Sequence, residues 1–249
     1  MSKRPSGMEL AKQPGTIILP GERMANIGDS ADAGQAVIRI GSGVTQKSSE
    51  LLASKAGYMR YEASRNKLWV ESNQKRYVPA LEDPIIGIVQ DRFGEEYRLD
   101  INGSDTATLS MLAFQGATKK NRPNLGAGAL VYCRVVRASK NMEAEVSCIE
   151  PGSTKSWSGG ETLYGELQGG TVVQVSLGMA RKLLREDRVL KMVGNVPFQS
   201  AVGVNGRIWI EAGNCEHTML LSLALQKADV MRADEWQEFV KQLWSQSKK

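Results

Sequence analysis

The 249-residue sequence predicts a multidomain, mainly β protein that ends in a small α/β module. Three observations predict it. Short apolar runs punctuated by glycine and proline fill the first third of the chain, five longer strand-like runs follow between Pro84 and Glu150, and helical periodicity becomes clear only beyond Ser176. No internal repeat or low-complexity tract interrupts this order.

Taken in order, residues 1–15 (MSKRPSGMELAKQPG) read as a disordered N-terminus, without the apolar stretch of a signal peptide. Residues 16–80 carry TIILPGE, AVIRIGSGV, GYMRYE, KLWVES and KRYVP, small strands at turn-rich spacing that predict an N-terminal β-domain; SSELLASKA between them is ambiguous between helix and strand. Pro79 and Pro84 bracket a hinge. Residues 81–151 hold PIIGIVQDR, EEYRLDI, TATLSML, ALVYCRVVRA and AEVSCIE, with a long connection between the third and fourth. That is the strand count and size of an OB-type barrel, whose last two strands, flanking SKNME, would close it as a hairpin. Residues 152–249 begin with a Gly- and Ser-rich linker. They continue as a strand (TVVQVS), a helix (LGMARKLLRED) that Ser176 can cap, two strands (PFQSAVG and RIWIEAG) and two helical segments (EHTMLLSLALQK and ADEWQEFVKQLW). Trp236, Phe239, Val240, Leu243 and Trp244 share a broad face of the last segment, either core or docking surface.

Composition narrows the chemistry. Thirty-two Lys and Arg against 27 Asp and Glu leave a charge of +5, which favours an anionic partner. Cys133, Cys148 and Cys215 form no CxxC and sit in apolar or strand-like stretches, as reduced core cysteines of an intracellular protein would. No run approaches the length of a membrane span. GxSxG, GxxxxGK[ST] and HExxH are missing, and the lone histidine, His217, opens an apolar helical run, where a structural or capping role fits it better than catalysis. Glu95, Glu96 and Asp100 lack the spacing that would place two metals for phosphodiester cleavage. No catalytic residue, metal ligand or cofactor is expected.

The sharpest compositional shift lies in the barrel segment. From Thr106 to Met142 there is no acidic residue, whereas Lys119, Lys120, Arg122, Arg134, Arg137 and Lys140 are basic. A field of one sign suits a phosphate backbone, because each neutralised phosphate releases counterions. Lys119, Lys120, Arg122 and Lys140, with Arg92 and Arg98 beside the first barrel loop (DRFGE), are the RNA-binding candidates. Phe93, Tyr97, Phe114 and Tyr132 are each a stacking platform or barrel core. Further on, GVNG (203–206) fits the GxxG with which KH modules clamp a nucleotide backbone. However, it stands between two strand-like runs rather than two helices, and Asn205-Gly206 is a tight-hairpin signal, so Gly203, Val204, Asn205 and Gly206 read as a structural turn.

GATKKNRPNL (116–125), VYCRVV and VGVNGRIWI together resemble the ribosomal RNA-processing protein 40 type of cap subunit of the eukaryotic RNA exosome, the exosome component 3 family. The likeness covers most of the chain and includes a PG[DE] element, here Pro20-Gly21-Glu22, with Glu22 where aspartate is commoner. It implies an N-terminal β-domain, an S1-type OB barrel and a KH-type domain, in that order. It also implies a non-catalytic, RNA-binding subunit that binds RNase PH-like ring subunits and other cap subunits and guides single-stranded RNA, in nucleus, nucleolus and cytoplasm. Its GxNG loop is expected to pack against the neighbouring domain. A stand-alone OB/KH RNA-binding regulator is the alternative.

Overall fold

The structure is a computed structural model that describes residues 8–27, 38–72, 74–139, 141–153, 155–159, 162–185, 196–231 and 233–246. The chain divides into two compact units, Met1–Asn73 and Gln74–Lys249.

The first unit holds eight short strands in two four-stranded sheets. One has the order β1 (Met8–Leu10), β3 (Arg23–Ile27), β6 (Glu50–Ala53), β5 (Val44–Lys47); the other has β2 (Ile17–Ile18), β7 (Gly57–Glu62), β8 (Lys67–Glu71), β4 (Arg39–Ile40). Alternation places Leu51, Ala53, Leu68 and Val70 inward with Ile18, Met24, Ala25 and Met59. The ambiguous SSELLASKA is strand, since Glu50–Ala53 fills the space between β3 and β5. The expectation of disorder through residue 15 is corrected over residues 8–15: Met8, Glu9 and Leu10 pair with Ile27, Asn26 and Ala25, and Gly15 N–H donates to Met59 O at 2.7 Å. Backbone pairing to a sheet edge needs no apolar pattern, so nothing in MELAKQPG announced it.

The second unit begins with the barrel. β9 (Pro84–Phe93), β10 (Glu96–Asp100), β11 (Ala107–Phe114), β13 (Ala144–Cys148) and β12 (Leu130–Arg137) hydrogen-bond in that order, and β12 returns to β9. β11 and β13 are parallel and the other pairs antiparallel, giving a closed five-stranded barrel around Val89, Tyr97, Leu99, Leu109, Met111, Phe114 and Val131. Both expected boundaries move. Tyr77 is buried with the barrel, its N–H donates to Asn102 O (3.1 Å) and its hydroxyl to Asp83 (2.9 Å), so the prolines lie inside the unit. At the other end, β14 (Gly165–Leu167) adds to β12 through Leu130–Leu167 and Tyr132–Gly165 pairing, so the barrel sheet runs past residue 151. The Gly/Ser-rich segment is not a free linker: Trp157 N–H donates to Gln115 O at 2.9 Å.

The α/β module is a three-stranded antiparallel sheet ordered β15 (Thr171–Gln174), β17 (Arg207–Ala212), β16 (Phe198–Val202), with α1 (Leu177–Arg185), α2 (Cys215–Ala228) and α3 (Ala233–Gln246). Ser176 caps α1 by accepting from Met179 N–H at 3.2 Å, and its own hydroxyl donates to Asp229 just beyond α2. Val173, Val202, Ile208 and Ile210 face Leu183, Leu221, Leu225, Trp236 and Val240 from the helices. The stripe on the last helix is therefore core: Trp236, Val240 and Leu243 are buried and Trp236 Nε1 donates to Ala224 O. Cys133 and Cys148 are buried, and burial pushes both thiols up; Cys215 is exposed at the start of α2, contrary to expectation. His217 lies with its ring 5.7 Å from that of Trp244.

Candidate nucleic-acid interface

Two loops at one end of the barrel bring most of the basic candidates together. The β9–β10 hairpin carries Arg92 and Phe93 at the end of β9 and Glu95 in its turn; the β11–β12 connection carries GATKKNRPNL. Within that connection Thr118 and Asn121 exchange backbone hydrogen bonds of 2.9 and 3.1 Å, so Lys119 and Lys120 occupy the tip of a tight turn, both exposed. The loops are tied side chain to side chain. Arg92 Nη1 donates to Asn124 Oδ1 at 3.4 Å, and Arg122 Nη1 meets Glu95 Oε1 at 3.3 Å. From below, the buried Tyr97 hydroxyl donates to Pro123 O (2.9 Å) and accepts from Leu125 N–H (3.1 Å), fixing the descending half of the connection.

Phe93 is 75% exposed beside this group, and the guanidinium carbon of Arg98 stands 5.8 Å from its ring centroid. Of the four aromatic candidates it alone presents its ring. Tyr97 and Phe114 are barrel core, and Tyr132 is 8% exposed against the α/β module, its hydroxyl donating to Val202 O. An exposed ring beside a guanidinium group can stack a base while cations on the same loops follow the phosphates, with no demand on sequence.

Arg134 and Arg137 do not extend the surface. Arg134 is only 14% exposed, donates to both oxygens of Glu82 and to Ile149 O, and is spent on holding the barrel's rim. Arg137 pairs with Glu145 at 2.8 Å. The acid-free run thus overstated the field, because its neutralising carboxylates come from outside the run. Lys140 lies outside the described residues.

GVNG is a joint. Gly203 N–H donates to Arg207 O, Gly206 N–H to Gly203 O, and Gly206 has φ +81°, which makes a three-residue hairpin loop closed by a left-handed glycine. A Cβ at Gly206 would stand 2.6 Å from Val175 O, so both the angle and the space require glycine. The loop points into the barrel. Val204 N–H donates to Pro84 O, and the fully buried Asn205 donates to Ile86 O (2.8 Å) and Ile101 O (3.0 Å) and accepts from Ile86 N–H (3.3 Å). Asn102 Nδ2 donates to Asn205 O, and Arg207, 4% exposed, donates to Asp100 O and Asp100 Oδ2, each at 2.5 Å. Burial by itself would raise Asp100, but the Asn102 N–H and the Arg207 guanidinium outweigh it and hold the carboxyl below its ordinary range. No nucleotide backbone can approach a loop so filled with protein. Sequence reasoning missed Asp100, Asn102 and Arg207 as partners of this joint; the NG pair at Asn102-Gly103, with Asn102 at φ +61°, was the one available signal.

Among the described residues no three His, Cys, Asp or Glu side chains gather as a metal site. Comparison with known proteins adds the lineage. Residues 38–76 match the family described as the exosome complex exonuclease Rrp40 N-terminal domain, residues 77–160 the S1 domain of exosome complex component RRP40, and residues 170–215 a KH domain. The RRP40 exosome component of Drosophila melanogaster is 39% identical over 212 residues, 84% of this chain and 88% of that one. That of Schizosaccharomyces pombe is 37% identical over 231 residues (90% and 92%), and that of Homo sapiens 34% over 253 residues (92% and 90%). A solved structure described as an exosome complex RNA-binding protein shares the fold, with a TM-score of 0.55 at 20% identity over 68% of this chain and 98% of that one. Identities of 34–39% over at least 84% of its length, with all three modules in the expected order, show that this chain belongs to the RRP40 family of exosome complex components.

Proposed function

We propose that the chain is a non-catalytic RNA-binding cap subunit of the exosome. In this reading it binds RNase PH-like ring subunits and the other cap subunits. It guides single-stranded RNA into the central channel for 3′-to-5′ processing and degradation, in nucleus, nucleolus and cytoplasm. Membership of the RRP40 family supports the assembly. The observation that carries the RNA role is the pair of tied loops at one end of the barrel, with Arg92, Arg122 and the exposed Phe93 under Arg98, and with Lys119 and Lys120 at the exposed tip of the longer connection. Binding there is electrostatic and sequence-tolerant: cations hold phosphates, and one ring accepts any base.

The test compares the full chain with a variant in which Lys119, Lys120, Arg122 and Lys140 are all alanine, titrated with single-stranded RNA over a range of salt. Each phosphate that is no longer neutralised should flatten the slope of log affinity against log salt by about 0.7, equally for any RNA sequence. A folded quadruple variant that keeps the wild-type slope would move the RNA elsewhere.

A further inference from the structure

The basic loops also hold a carboxylate. Of Arg92, Arg98, Lys119, Lys120 and Arg122, only Arg122 has an acidic partner among the described residues, Glu95 on the other loop at 3.3 Å. Arg92 donates to the neutral Gly94 O and Asn124 Oδ1, and Arg98 stands over Phe93. A single cation of the set is already occupied.

Glu95 is built into this place. Gly94 takes φ +62° to turn the chain out of β9, and Glu95 O accepts from Met111 N–H at 3.0 Å, which fixes the residue against β11. On the other loop Arg122 precedes Pro123, whose carbonyl accepts from the Tyr97 hydroxyl. Both partners are held at the backbone, so their side chains can part without moving the loops. The contact itself is of an exchangeable kind. One guanidinium nitrogen meets one carboxylate oxygen, the side chain of Glu95 is 67% exposed and that of Arg122 31%, and solvent screens their attraction. A phosphate offers the planar guanidinium two oxygens at once and makes the stronger pair.

Two opposite roles fit such a carboxylate. As a tie it would hold the loops in their binding shape, its charge being incidental; as a gate its charge would compete with every incoming phosphate. From its exposure and its single contact with the one paired cation, we infer that Glu95 is a gate. It occupies Arg122 while no RNA is bound and yields it to a phosphate of a bound single strand, which keeps the grip of the loops weak. That suits a subunit that passes RNA on. The inference rests on the RNA role proposed for these loops.

The test is a double-mutant cycle on the full chain, with Glu95→Gln, Arg122→Ala and both together, each titrated with a fluorescein-labelled oligouridylate of about twelve nucleotides over a range of salt. Glutamine keeps an oxygen that can accept from Arg122 and loses only the charge. Glu95→Gln should bind about two- to fivefold more tightly at low salt, the range of an exposed ion pair. Its slope of log affinity against log salt should be steeper by up to about 0.7, because the carboxylate released in the wild type takes up a cation and offsets the one that the phosphate sets free. Arg122→Ala should bind more weakly, and adding Glu95→Gln to it should change little. Unchanged or lower affinity in Glu95→Gln would make the contact a tie, and an equal gain with and without Arg122 would make Glu95 a general repulsive charge. Either result overturns the gate and leaves the RNA role of the loops standing. If Arg122→Ala bound as the wild type does, Arg122 would lie off the RNA path, and its place in the proposed RNA site would fall together with the gate. Should Arg122→Ala misfold, the sign of the Glu95→Gln effect still decides between gate and tie.

Discussion

Asp100 shows how one carboxylate on a barrel strand serves the joint to the next module. Its partner Arg207 is 4% exposed, while Asp100 itself remains 39% exposed, so solvent weakens a pair that burial would otherwise make strong. The folded state holds Asp100 below the ordinary carboxylate range, against a burial effect that runs the other way. A depressed acid stabilises the folded chain fully above its unfolded value, near 3.9, and loses that contribution as pH falls through the folded value. Asp100→Asn should therefore cost about 1 kcal/mol at neutral pH, the upper end for a partly exposed pair, and the gap to wild type should close below about pH 4. Urea unfolding of both proteins at several pH values measures it, and a gap that persists at low pH would assign the effect to geometry rather than charge. Asp83 shifts the opposite way. Burial raises it against the Tyr77 hydrogen bond and the charge of Arg181, which marks it as a carboxylate that the fold tolerates rather than exploits. Little of this could be read from sequence. RLDING displays a strand and a turn, but Arg207 lies 107 positions away, and no local pattern reports so distant a partner.

Among the elements, strands were the most legible because their alternation records which face is buried. EYRLD places Tyr97 and Leu99 inward, and all five barrel strands fall where their apolar runs predicted. Loops were legible only in composition. GATKKNRPNL announced charge, but its shape comes from the hydroxyl of Tyr97, 26 residues before Pro123, and from Arg92 on another turn. The short strand β1 and the bridging β14 escaped notice because three-residue strands carry too few positions for a period to show. Since Tyr97 is fully buried, it bears on the proposed RNA-binding loops only through the connection that it anchors. Tyr97→Phe keeps the ring in the core yet strips Pro123 O and Leu125 N–H of their partner, at about 1–3 kcal/mol. The variant should melt at a lower temperature, and it should also bind single-stranded RNA more weakly at a temperature where it is folded. Unchanged RNA affinity in the folded variant would show that the Lys119-Lys120 turn keeps its place without the anchor.

At the scale of the molecule, the barrel and the α/β module behave as one body because their seam is both apolar and hydrogen-bonded. Ile86 and Tyr132 from the barrel pack with Ala201 and Trp209, and the GVNG hairpin inserts Asn205 and Arg207 among the carbonyls of Ile86, Asp100 and Ile101. The order of modules was legible in the sequence; the fusion of two of them was not, since the apparent linker at 151–160 is packed back on the barrel through Trp157. A shared seam of this sort predicts shared unfolding. In native-state hydrogen exchange of the full chain, slow amides of the barrel, such as Leu99 and Val131, should open with the same free energy as Ile208 and Ile210 of the three-stranded sheet. Asn205→Ala leaves the Ile101 carbonyl and the Ile86 N–H buried without the partner that Asn205 supplies, with Ile86 O held by Arg207 alone, a destabilisation of about 2–3 kcal/mol that should lower protection in both modules by the same amount. Amides of the first unit, such as Met59 and Val70, should keep theirs, because that unit has a core of its own. If protection fell in the three-stranded sheet alone while the barrel kept its own, the two modules would be separate folding units that merely touch, and the hairpin would be a latch rather than part of a common core.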